Sequence, residues 1–323
     1  MTEATVIRIH ETGGPEVLRQ EIVTLGPPGP GEALVRQTAI GLNFIDTYHR
    51  SGLYPVKLPA VLGSEGAGVV EAVGEGVETV RPGDRVAYLG AGTYASHYKG
   101  PAARMVRLPA EVDEAIAAAV LLKGLTAWML LFEVRPGRAG ETALVWAPVG
   151  GVGTLLVPWA TSLGMRVLAV TSSADKAARA RALGAEDTVL RDEDVAAAAR
   201  AFSGGAGVHV AYDSVGRTSA DASLAALRPR GWFVSYGNAS GPADPVSPGR
   251  LSAGGSLVMT RPGLFHFIAD PADLARGAAA LFGALRVGTL KPEIGQRFAL
   301  SEVAEAHRAI ESGRTVGATV LTP

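Results

Sequence analysis

Three glycines after a short apolar stretch carry the strongest chemical signal in this chain. Ala143–Trp146 predicts a strand, Gly150, Gly151, Val152 and Gly153 follow it, and apolar residues with helical spacing come next. A strand that turns through glycines into a helix directs unpaired backbone N–H groups at one point, which suits a pyrophosphate. The same glycines would also suit a plain tight turn, so a dinucleotide site needs support from the residues that follow.

Polar side chains follow the next predicted strand, Arg166–Thr171, which lies about 20 residues beyond the glycines, as a βαβ unit requires. An NAD site usually has Asp or Glu here to bind the ribose hydroxyl, whereas this chain has Ser172, Ser173 and Lys176. Hydroxyls and a lysine suit a 2′-phosphate, so we expect NADPH. Alternatively, a serine only caps a helix and the lysine is solvated. Asp175 either repels the phosphate or favours the helix N-terminus.

Strands and helices alternate through the middle of the chain. The further predicted strands are Val208–Asp213, Gly231–Tyr236 and Ser256–Thr260, with helices such as Asp175–Leu183 and Ser219–Leu227 between them. This alternation predicts an α/β fold with a doubly wound parallel sheet, the architecture that positions a glycine turn for a dinucleotide.

The first third of the chain has short apolar strands separated by Gly/Pro turns, which predicts an irregular β-barrel-like unit. Its predicted strands are Thr5–Ile9, Glu32–Ile40, Gly68–Val73, Arg85–Tyr88, Tyr94–Lys99 and Ala103–Arg107. Glu114–Val134 is a mostly helical link to the sheet domain. Helices at Asp270–Leu285 and Ser301–Ser312 precede a strand at Ala318–Leu321, which we expect to return to the first domain. The predicted domains are residues 1–124 with 262–323, and residues 125–261.

Composition excludes several classes of function. The net charge of −1 over 323 residues indicates neither a nucleic-acid nor an anionic-membrane surface. We predict a cytoplasmic protein without a leader or a membrane span. No cysteine is present, which excludes disulfides and thiolate metal sites. The six histidines are scattered without metal-ligand spacing: His10, His49, His97, His209, His266 and His307.

Several segments, in the same order along the chain, carry a resemblance to one family. They are IGLNFIDTYHRSGLYP (Ile40–Pro55), GSEGAGVVEAVG (Gly63–Gly74), VRPGDRV (Val80–Val86), GGVG (Gly150–Gly153) and YDSVG (Tyr212–Gly216). The chain resembles the medium-chain dehydrogenase/reductase superfamily and, within it, the NADPH-dependent, zeta-crystallin-like quinone oxidoreductases. The resemblance covers essentially the whole chain and implies a GroES-like β-barrel catalytic domain beside a Rossmann domain that binds NADPH.

The zinc ligands of the related alcohol dehydrogenases are absent from this sequence. Asn43 and Ser64 occupy the places of a zinc-binding Cys and His, and the cysteine-rich zinc lobe is missing. In those enzymes such ligands hold zinc as a Lewis acid on the substrate oxygen during alcohol oxidation. We therefore predict no metal and a substrate that already accepts hydride well, such as a quinone or another small conjugated carbonyl.

The resemblance also assigns site residues. Near the nicotinamide it implies Asn43, Asp46, Tyr48 and Tyr54 as the catalytic, substrate-facing set, although both tyrosines would also suit ordinary loop packing. Asp46 also suits a role in orienting its neighbours rather than transferring protons. The implied cofactor contacts, in addition to the glycine turn, are Phe44, Thr126, Ser172, Ser173, Lys176, Arg191, Ser214, Tyr236, Gly237, Asn238, Arg261 and Arg314.

Some of these assignments have alternatives. Relatives have a tyrosine near Arg191, where an arginine would bind phosphate more strongly. Thr126 suits a bond within its own helix as well as a nicotinamide contact. Arg261 suits a phosphate, the substrate or a salt bridge. Arg314 lies one position from the relatives' arginine.

The expected activity is direct hydride transfer from NADPH to a quinone. Reduction of alkenals or enones on the same scaffold is the first alternative, and a non-enzymatic role as a cofactor-binding structural or RNA-associated protein is the second. A zinc alcohol dehydrogenase is the least expected. The family pairs subunits through sheet edges, which at Ser256–Thr260 implies a homodimer.

Overall fold

The computed structural model describes all 323 residues and divides into two compact units. Unit 1 comprises Met1–Leu125, Asp270–Arg286 and Pro292–Pro323, and unit 2 comprises Thr126–Ala269 and Val287–Lys291. Residues 262–269 therefore group with unit 2.

Sixteen strands form the sheets of the two units. In chain order they are β1 Thr2–Ile9, β2 Arg19–Leu25, β3 Glu32–Leu42, β4 Ala60–Val61, β5 Glu65–Val73, β6 Arg85–Leu89, β7 His97–Pro101, β8 Met105–Arg107, β9 Thr142–Trp146, β10 Arg166–Thr171, β11 Asp187–Leu190, β12 Val208–Asp213, β13 Leu227–Ser235, β14 Val258–Thr260, β15 Ile294–Ala299 and β16 Ala318–Thr322.

Ten α-helices connect these strands. They are α1 Phe44–Ser51, α2 Glu114–Trp128, α3 Gly153–Ser162, α4 Ala174–Ala182, α5 Val195–Phe202, α6 Ala220–Ala225, α7 Pro248–Ala253, α8 Leu264–Phe267, α9 Pro271–Arg286 and α10 Val303–Glu311. A π-helical turn, Met129–Val134, directly follows α2.

Unit 1 is built mainly of antiparallel strands, as the short strands and Gly/Pro turns predict. Its larger sheet has the order β15-β16-β3-β5-β6-β8, with β7 also paired to β3, and its smaller sheet has the order β2-β1-β4. The C-terminal strand β16 lies antiparallel to β3, with Thr319 opposite Leu42. The expectation that the C-terminus returns to the first domain is thus confirmed.

Unit 2 contains a six-stranded sheet with the order β11-β10-β9-β12-β13-β14, in which every pair is parallel. All five residues of β9 are buried, as expected of a central strand covered on both faces. The strand order reverses between β9 and β12, so the crevice for a dinucleotide lies at the carboxyl ends of these strands. The predicted GroES-like and Rossmann-type α/β fold is confirmed.

Only Arg166–Thr171 and Val208–Asp213 have the predicted bounds at both ends, and four of the other predicted strands show how the structure differs. The strand predicted at Tyr94–Lys99 begins at His97, because Tyr94 turns inward and its N–H donates to the Leu62 carbonyl at 2.8 Å. Ala103–Arg107 is a strand only from Met105, after a 3₁₀ turn. The strand predicted at Ser256 begins at Val258, since Ser256 has a left-handed φ of 58°. The strand predicted at Gly231–Tyr236 spans Leu227–Ser235.

One stretch, Glu114–Val134, is long and apolar enough to cross a membrane by length and composition, with a mean hydropathy of 2.0. The prediction from the sequence is that no stretch of this chain spans a membrane. Since 78% of its most apolar window is buried within the protein, it has the character of a core helix.

Candidate active site

The predicted glycine turn lies at the carboxyl end of the central strand β9. A Cβ on Gly153 would collide with the backbone carbonyl of Ala147 and with Pro148, so only glycine allows α3 to start this close to the strand. The N–H groups of Gly151, Val152 and Gly153 donate to no acceptor within the chain. Free donors at a helix N-terminus fit the pyrophosphate of a dinucleotide.

Two cations lie at the neighbouring strand ends. Lys176 belongs to the first turn of α4, and Arg191 follows β11 with its N–H donating to the carbonyl of Thr171, the last residue of β10, at 2.8 Å. Partial burial and, second, the charge of Arg191 lower the pKa of Lys176. Mutual repulsion between two cations is relieved by an anion, and the donor set fits a 2′-phosphate.

Ser172 and Ser173 occupy the loop between β10 and α4. The Ser173 hydroxyl accepts the Lys176 N–H at 3.4 Å, so Ser173 is a helix N-cap, as the structural alternative expected. Asp175 lies in the first turn of α4. A capping serine keeps its hydroxyl hydrogen for a further acceptor, so the cap does not exclude a phosphate contact.

The loops after β12 and β13 are organised by Asp213, which the sequence analysis did not single out. This buried carboxylate accepts the Val215 and Gly216 N–H groups and the hydroxyls of Ser219 and Ser223, at 2.7–3.0 Å. Ser214 follows Asp213 directly. Tyr236, Gly237 and Asn238 follow β13 at the same carboxyl edge of the sheet, where the Tyr236 N–H donates to the Asp213 carbonyl at 2.7 Å.

Three further predicted cofactor contacts, Arg261, Thr126 and Arg314, lie in different parts of the structure. Arg261 follows β14 and donates to the Ser235 carbonyl at 2.9 Å, so a backbone contact holds its guanidinium at the end of β13. Thr126 is buried in α2. Arg314 lies exposed in the turn before β16, and its Nε donates to the Ser312 hydroxyl at 3.4 Å.

In unit 1, a buried ionic cluster fixes Asn43. The Asn43 amide donates to Glu65 Oε1 at 2.8 Å, the same oxygen that accepts from Lys123 Nζ at 2.7 Å. The second oxygen of Glu65 accepts the Leu122 N–H at 2.7 Å. A carboxylate without exposed surface is stabilised only by such a complete set of partners.

Asp46 lies in the first turn of α1, and its carboxylate accepts three hydrogen bonds. They come from the Asn43 N–H at 2.9 Å, the Ser64 hydroxyl at 2.5 Å and the Tyr94 hydroxyl at 2.9 Å. Burial raises the pKa of Asp46 to about 6, which the three bonds oppose and the Glu65 charge reinforces. Asp46 has no exposed surface and therefore reaches other molecules only through its neighbours.

His307 continues this chain of hydrogen bonds. Its Nε2 lies 3.0 Å from the Tyr94 hydroxyl, and its Nδ1 lies 3.0 Å from a nitrogen of Arg50, which also pairs with Glu311. An arginine can only donate, so Nδ1 accepts and Nε2 carries the proton. Burial, and then the charge of Arg50, lower the pKa of His307 to about 3.

The predicted aromatic residues form a contiguous row. Tyr48 lies 6.1 Å from Phe44 and 5.2 Å from Tyr54 between ring centroids, and Tyr54 makes an edge contact with His49 at 5.9 Å. Helix α1 supplies three of the rings, and the Tyr54 N–H donates to the Tyr48 carbonyl at 3.1 Å. The rings are tilted against one another by 47–74°, and the row combines apolar ring surface with phenol groups, which suits an aromatic acceptor.

The donor set does not fit catalytic zinc. The Asn43 amide and the Ser64 hydroxyl both donate to carboxylates, so neither presents a free ligand atom as Cys and His would. No three His, Cys, Asp or Glu side chains come together in a way that could hold a metal ion.

Sequence reasoning missed the buried partners of the predicted residues, namely Glu65, Tyr94, Lys123, Asp213 and His307. A detectable signal was the charged residue inside an apolar run, as in LLKGL and VAYDSV, because charge is rarely buried without a function or a partner. The pairing of Tyr94 with His307, 213 residues apart, left no local signal.

Comparison with known proteins matches both units. The model of the alcohol dehydrogenase GroES-like domain matches residues 29–110, and that of the zinc-binding dehydrogenases matches residues 151–265. The chain is 47% identical to a quinone oxidoreductase of Pseudomonas aeruginosa, covering 98% of this chain and 99% of the relative. It is 40% identical to a 2-haloacrylate reductase of Burkholderia, covering 98% of each.

A solved structure agrees with these relatives. The quinone oxidoreductase of Escherichia coli complexed with NADPH superposes with a TM-score of 0.97 at 40% identity, covering 99% of this chain and all of that one. The chain therefore belongs to the quinone oxidoreductase family of the medium-chain dehydrogenases/reductases, in a form without the zinc-binding residues.

Proposed function

We propose that this protein is an NADPH-dependent quinone reductase that transfers hydride directly, without zinc. The observation that carries the proposal is its full-length likeness to a quinone oxidoreductase complexed with NADPH. The site itself supports the same cofactor, because the glycine turn has free N–H donors and two cations lie at the adjacent strand ends.

In this proposal, different residues bind the pyrophosphate and the 2′-phosphate of NADPH. Gly150, Gly151, Val152 and Gly153 bind the pyrophosphate, since backbone donors at a helix N-terminus favour negative charge. The 2′-phosphate is bound by the side chains at the ends of β10 and β11, which are Ser172, Ser173, Lys176 and Arg191. Charge-assisted bonds of this kind contribute about 1.5–3 kcal/mol each.

Eight further residues complete the proposed cofactor contacts. We assign them to Phe44, Thr126, Ser214, Tyr236, Gly237, Asn238, Arg261 and Arg314, of which Arg314 is the weakest assignment because it is exposed and bonded to Ser312. When bound, the cofactor supplies the hydride. The chain supplies position and exclusion of water.

The acceptor packs against the aromatic row in this proposal. Tyr48 and Tyr54 offer ring faces and hydroxyls to a planar quinone, and Asn43 is held in place by Glu65. A quinone needs no metal to polarise it, which agrees with a donor set that does not fit zinc.

A second candidate is reduction of a conjugated double bond. The specific observation in its favour is the 40% identity to a 2-haloacrylate reductase over nearly the whole chain. A quinone and a conjugated alkene both accept hydride at an electrophilic unsaturated carbon or oxygen, so one scaffold suits either substrate. Comparing the turnover of the two substrates separates the two candidates.

We also propose a cytoplasmic homodimer. The last strand of the unit 2 sheet, β14, pairs on one side only, and Val258 within it and Phe265 shortly after it are exposed apolar residues. An unpaired apolar edge supports pairing with a second copy.

A panel of two cofactors and three acceptors tests the proposal. With NADPH, we expect a naphthoquinone to be turned over faster than a small enone or 2-chloroacrylate. We also expect turnover of the naphthoquinone to be faster with NADPH than with NADH. Faster turnover of the enone or haloacrylate would favour the second candidate. No NADPH oxidation with any acceptor would contradict both.

A further inference from the structure

We propose that the Ser64 hydroxyl delivers the proton that completes reduction of the substrate, and that Asp46 supplies this proton to Ser64. The inference rests on the proposed function and deepens it, since reduction of a quinone by hydride leaves one oxygen anionic. From the sequence alone, Ser64 is only the residue that replaces a zinc ligand.

Asp46 cannot deliver a proton by itself, because none of its surface is exposed. Its three partners are the Asn43 N–H, the Tyr94 hydroxyl and the Ser64 hydroxyl. A backbone amide does not relay protons under ordinary conditions, so only the two hydroxyls are candidates for an exit.

The branch through Tyr94 is closed. Tyr94 is completely buried, and beyond it lie His307, also completely buried, and then Arg50. Every bond in this branch points towards Asp46, from Arg50 to His307, from His307 to Tyr94 and from Tyr94 to the carboxylate. The arginine at its start does not give up a proton in proteins, so the branch cannot take part in turnover.

Ser64 is the remaining exit. Its hydroxyl lies 2.5 Å from Asp46 Oδ1, and Ser64 keeps about 7% of its surface exposed. The Ser64 hydroxyl donates to the Asp46 carboxylate; when Asp46 is protonated, its Oδ1–H donates to the Ser64 oxygen instead, and the Ser64 hydrogen becomes available to the substrate. Asn43, the predicted substrate-facing residue, is joined to the same carboxylate through its N–H.

Asp46 keeps its proton up to about pH 6. Burial raises its pKa to about 6, and four neighbouring groups modify this value. The hydrogen bonds from Ser64, from the Asn43 N–H and from Tyr94 lower the pKa, and the charge of Glu65 on β5 raises it. Neutral His307 on α10 and the Arg50–Glu311 pair complete the surroundings.

The hydride brings both electrons and one hydrogen to the quinone, which leaves the hydroquinone with one anionic oxygen. The O–H bond of Ser64 breaks as its proton moves to that oxygen, and the Ser64 oxygen takes the proton of Asp46. Asp46 is left as a carboxylate, and water returns its proton through Ser64 after the product leaves.

Two variants of Ser64 test the relay with NADPH and a naphthoquinone over a range of pH, in H₂O and in D₂O. For the wild type we expect kcat to fall above about pH 6, as Asp46 loses its proton, and to show a solvent isotope effect. Ser64→Ala should lower kcat about 100-fold, the lower end of the usual contribution of a general acid, and remove both signatures. Ser64→Thr should keep both, because it retains the hydroxyl.

Two controls separate this role from a structural one. NADPH binding, followed by its fluorescence, should be unchanged in Ser64→Ala, and the exposed Ser252→Ala should behave as wild type. If Ser64→Ala fails to fold, Asp46→Asn tests the relay instead, because asparagine keeps the shape of the side chain but has no acidic proton. The fall of kcat above about pH 6 must then be lost in Asp46→Asn.

The outcomes distinguish the inference from the function on which it rests. A wild type that reduces quinones without a descending limb, or a Ser64→Ala variant with unchanged kcat and pH profile, overturns the relay and leaves the proposed function intact. A folded wild type that binds NADPH but reduces no quinone overturns the function and the relay with it.

Discussion

Asp46 and His307 belong to one buried chain of hydrogen bonds, and burial moves their pKa values in opposite directions. The pKa of Asp46 rises to about 6 and that of His307 falls to about 3, because burial disfavours the charged form of each. Lowering the pH therefore stabilises the fold through Asp46, whose unfolded carboxyl has the lower pKa. It destabilises the fold through His307, since the unfolded imidazole is protonated first.

Replacing His307 isolates its share of this pH dependence. His307→Gln keeps an acceptor for Arg50 and a donor for Tyr94 but does not titrate. Between the unfolded pKa of 6.5 and the folded value of about 3, the unfolded chain binds the extra proton. The stability difference between wild type and variant should therefore fall by about 2 kcal/mol from pH 7.5 to pH 5. Urea unfolding measures it, and a difference that does not change with pH would contradict the assigned neutral imidazole.

The paired cations should decide the choice of cofactor. Lys176→Ala and Arg191→Ala should each raise the KM for NADPH about 10- to 100-fold while leaving the KM for NADH nearly unchanged, because only NADPH has the 2′-phosphate. Arg181→Ala is the matched control, since this cation lies on the same helix and pairs with Asp187 at 3.3 Å. Equal changes for both cofactors would show that the cations do not bind the phosphate.

At the scale of elements, the start of α3 depends on the absence of a side chain at Gly153. Gly153→Ala should push α3 from the end of β9, lowering stability by about 1–3 kcal/mol and weakening NADPH binding. Gly283→Ala, in open space within α9, should instead stabilise the protein by about 0.5–1 kcal/mol. Thermal melting and fluorescence titration compare the two, and normal NADPH affinity in Gly153→Ala would contradict the assigned turn.

The elements of unit 2 could be predicted more closely than those of unit 1. Arg166–Thr171 and Val208–Asp213 have the predicted bounds, because an apolar run between turn residues defines a buried parallel strand. The apolar residues around Tyr94 predict a strand that includes it. In the structure Tyr94 lies before the strand, and its hydroxyl lies between Asp46 and His307.

Residues of the candidate site were predictable where one local motif names them, as for the glycine turn and Lys176. The cluster around Asp46 combines β5, α1, α10 and the turn before β7, so no short segment contains its signal.

At the scale of the whole molecule, the free edge of β14 carries the proposed dimer. Val258→Asp should shift the protein from dimer to monomer, because a charge on an exposed apolar edge strand opposes pairing. Ile22→Asp is the control, since Ile22 is a more exposed apolar residue on β2 in unit 1. Sedimentation at low protein concentration measures the change. Two variants with the same mass as wild type would contradict an interface at β14.

The central claim is that hydride passes directly from NADPH to a quinone without a metal ion. The most direct measurement is single-turnover oxidation of NADPH deuterated at the transferred C4 position, with a naphthoquinone and excess chelator. The account predicts a primary isotope effect and a rate that the chelator does not change. Loss of the reaction on chelation would contradict the account. An unchanged rate with deuterated NADPH would also contradict it, provided that hydride transfer is shown to be rate-limiting.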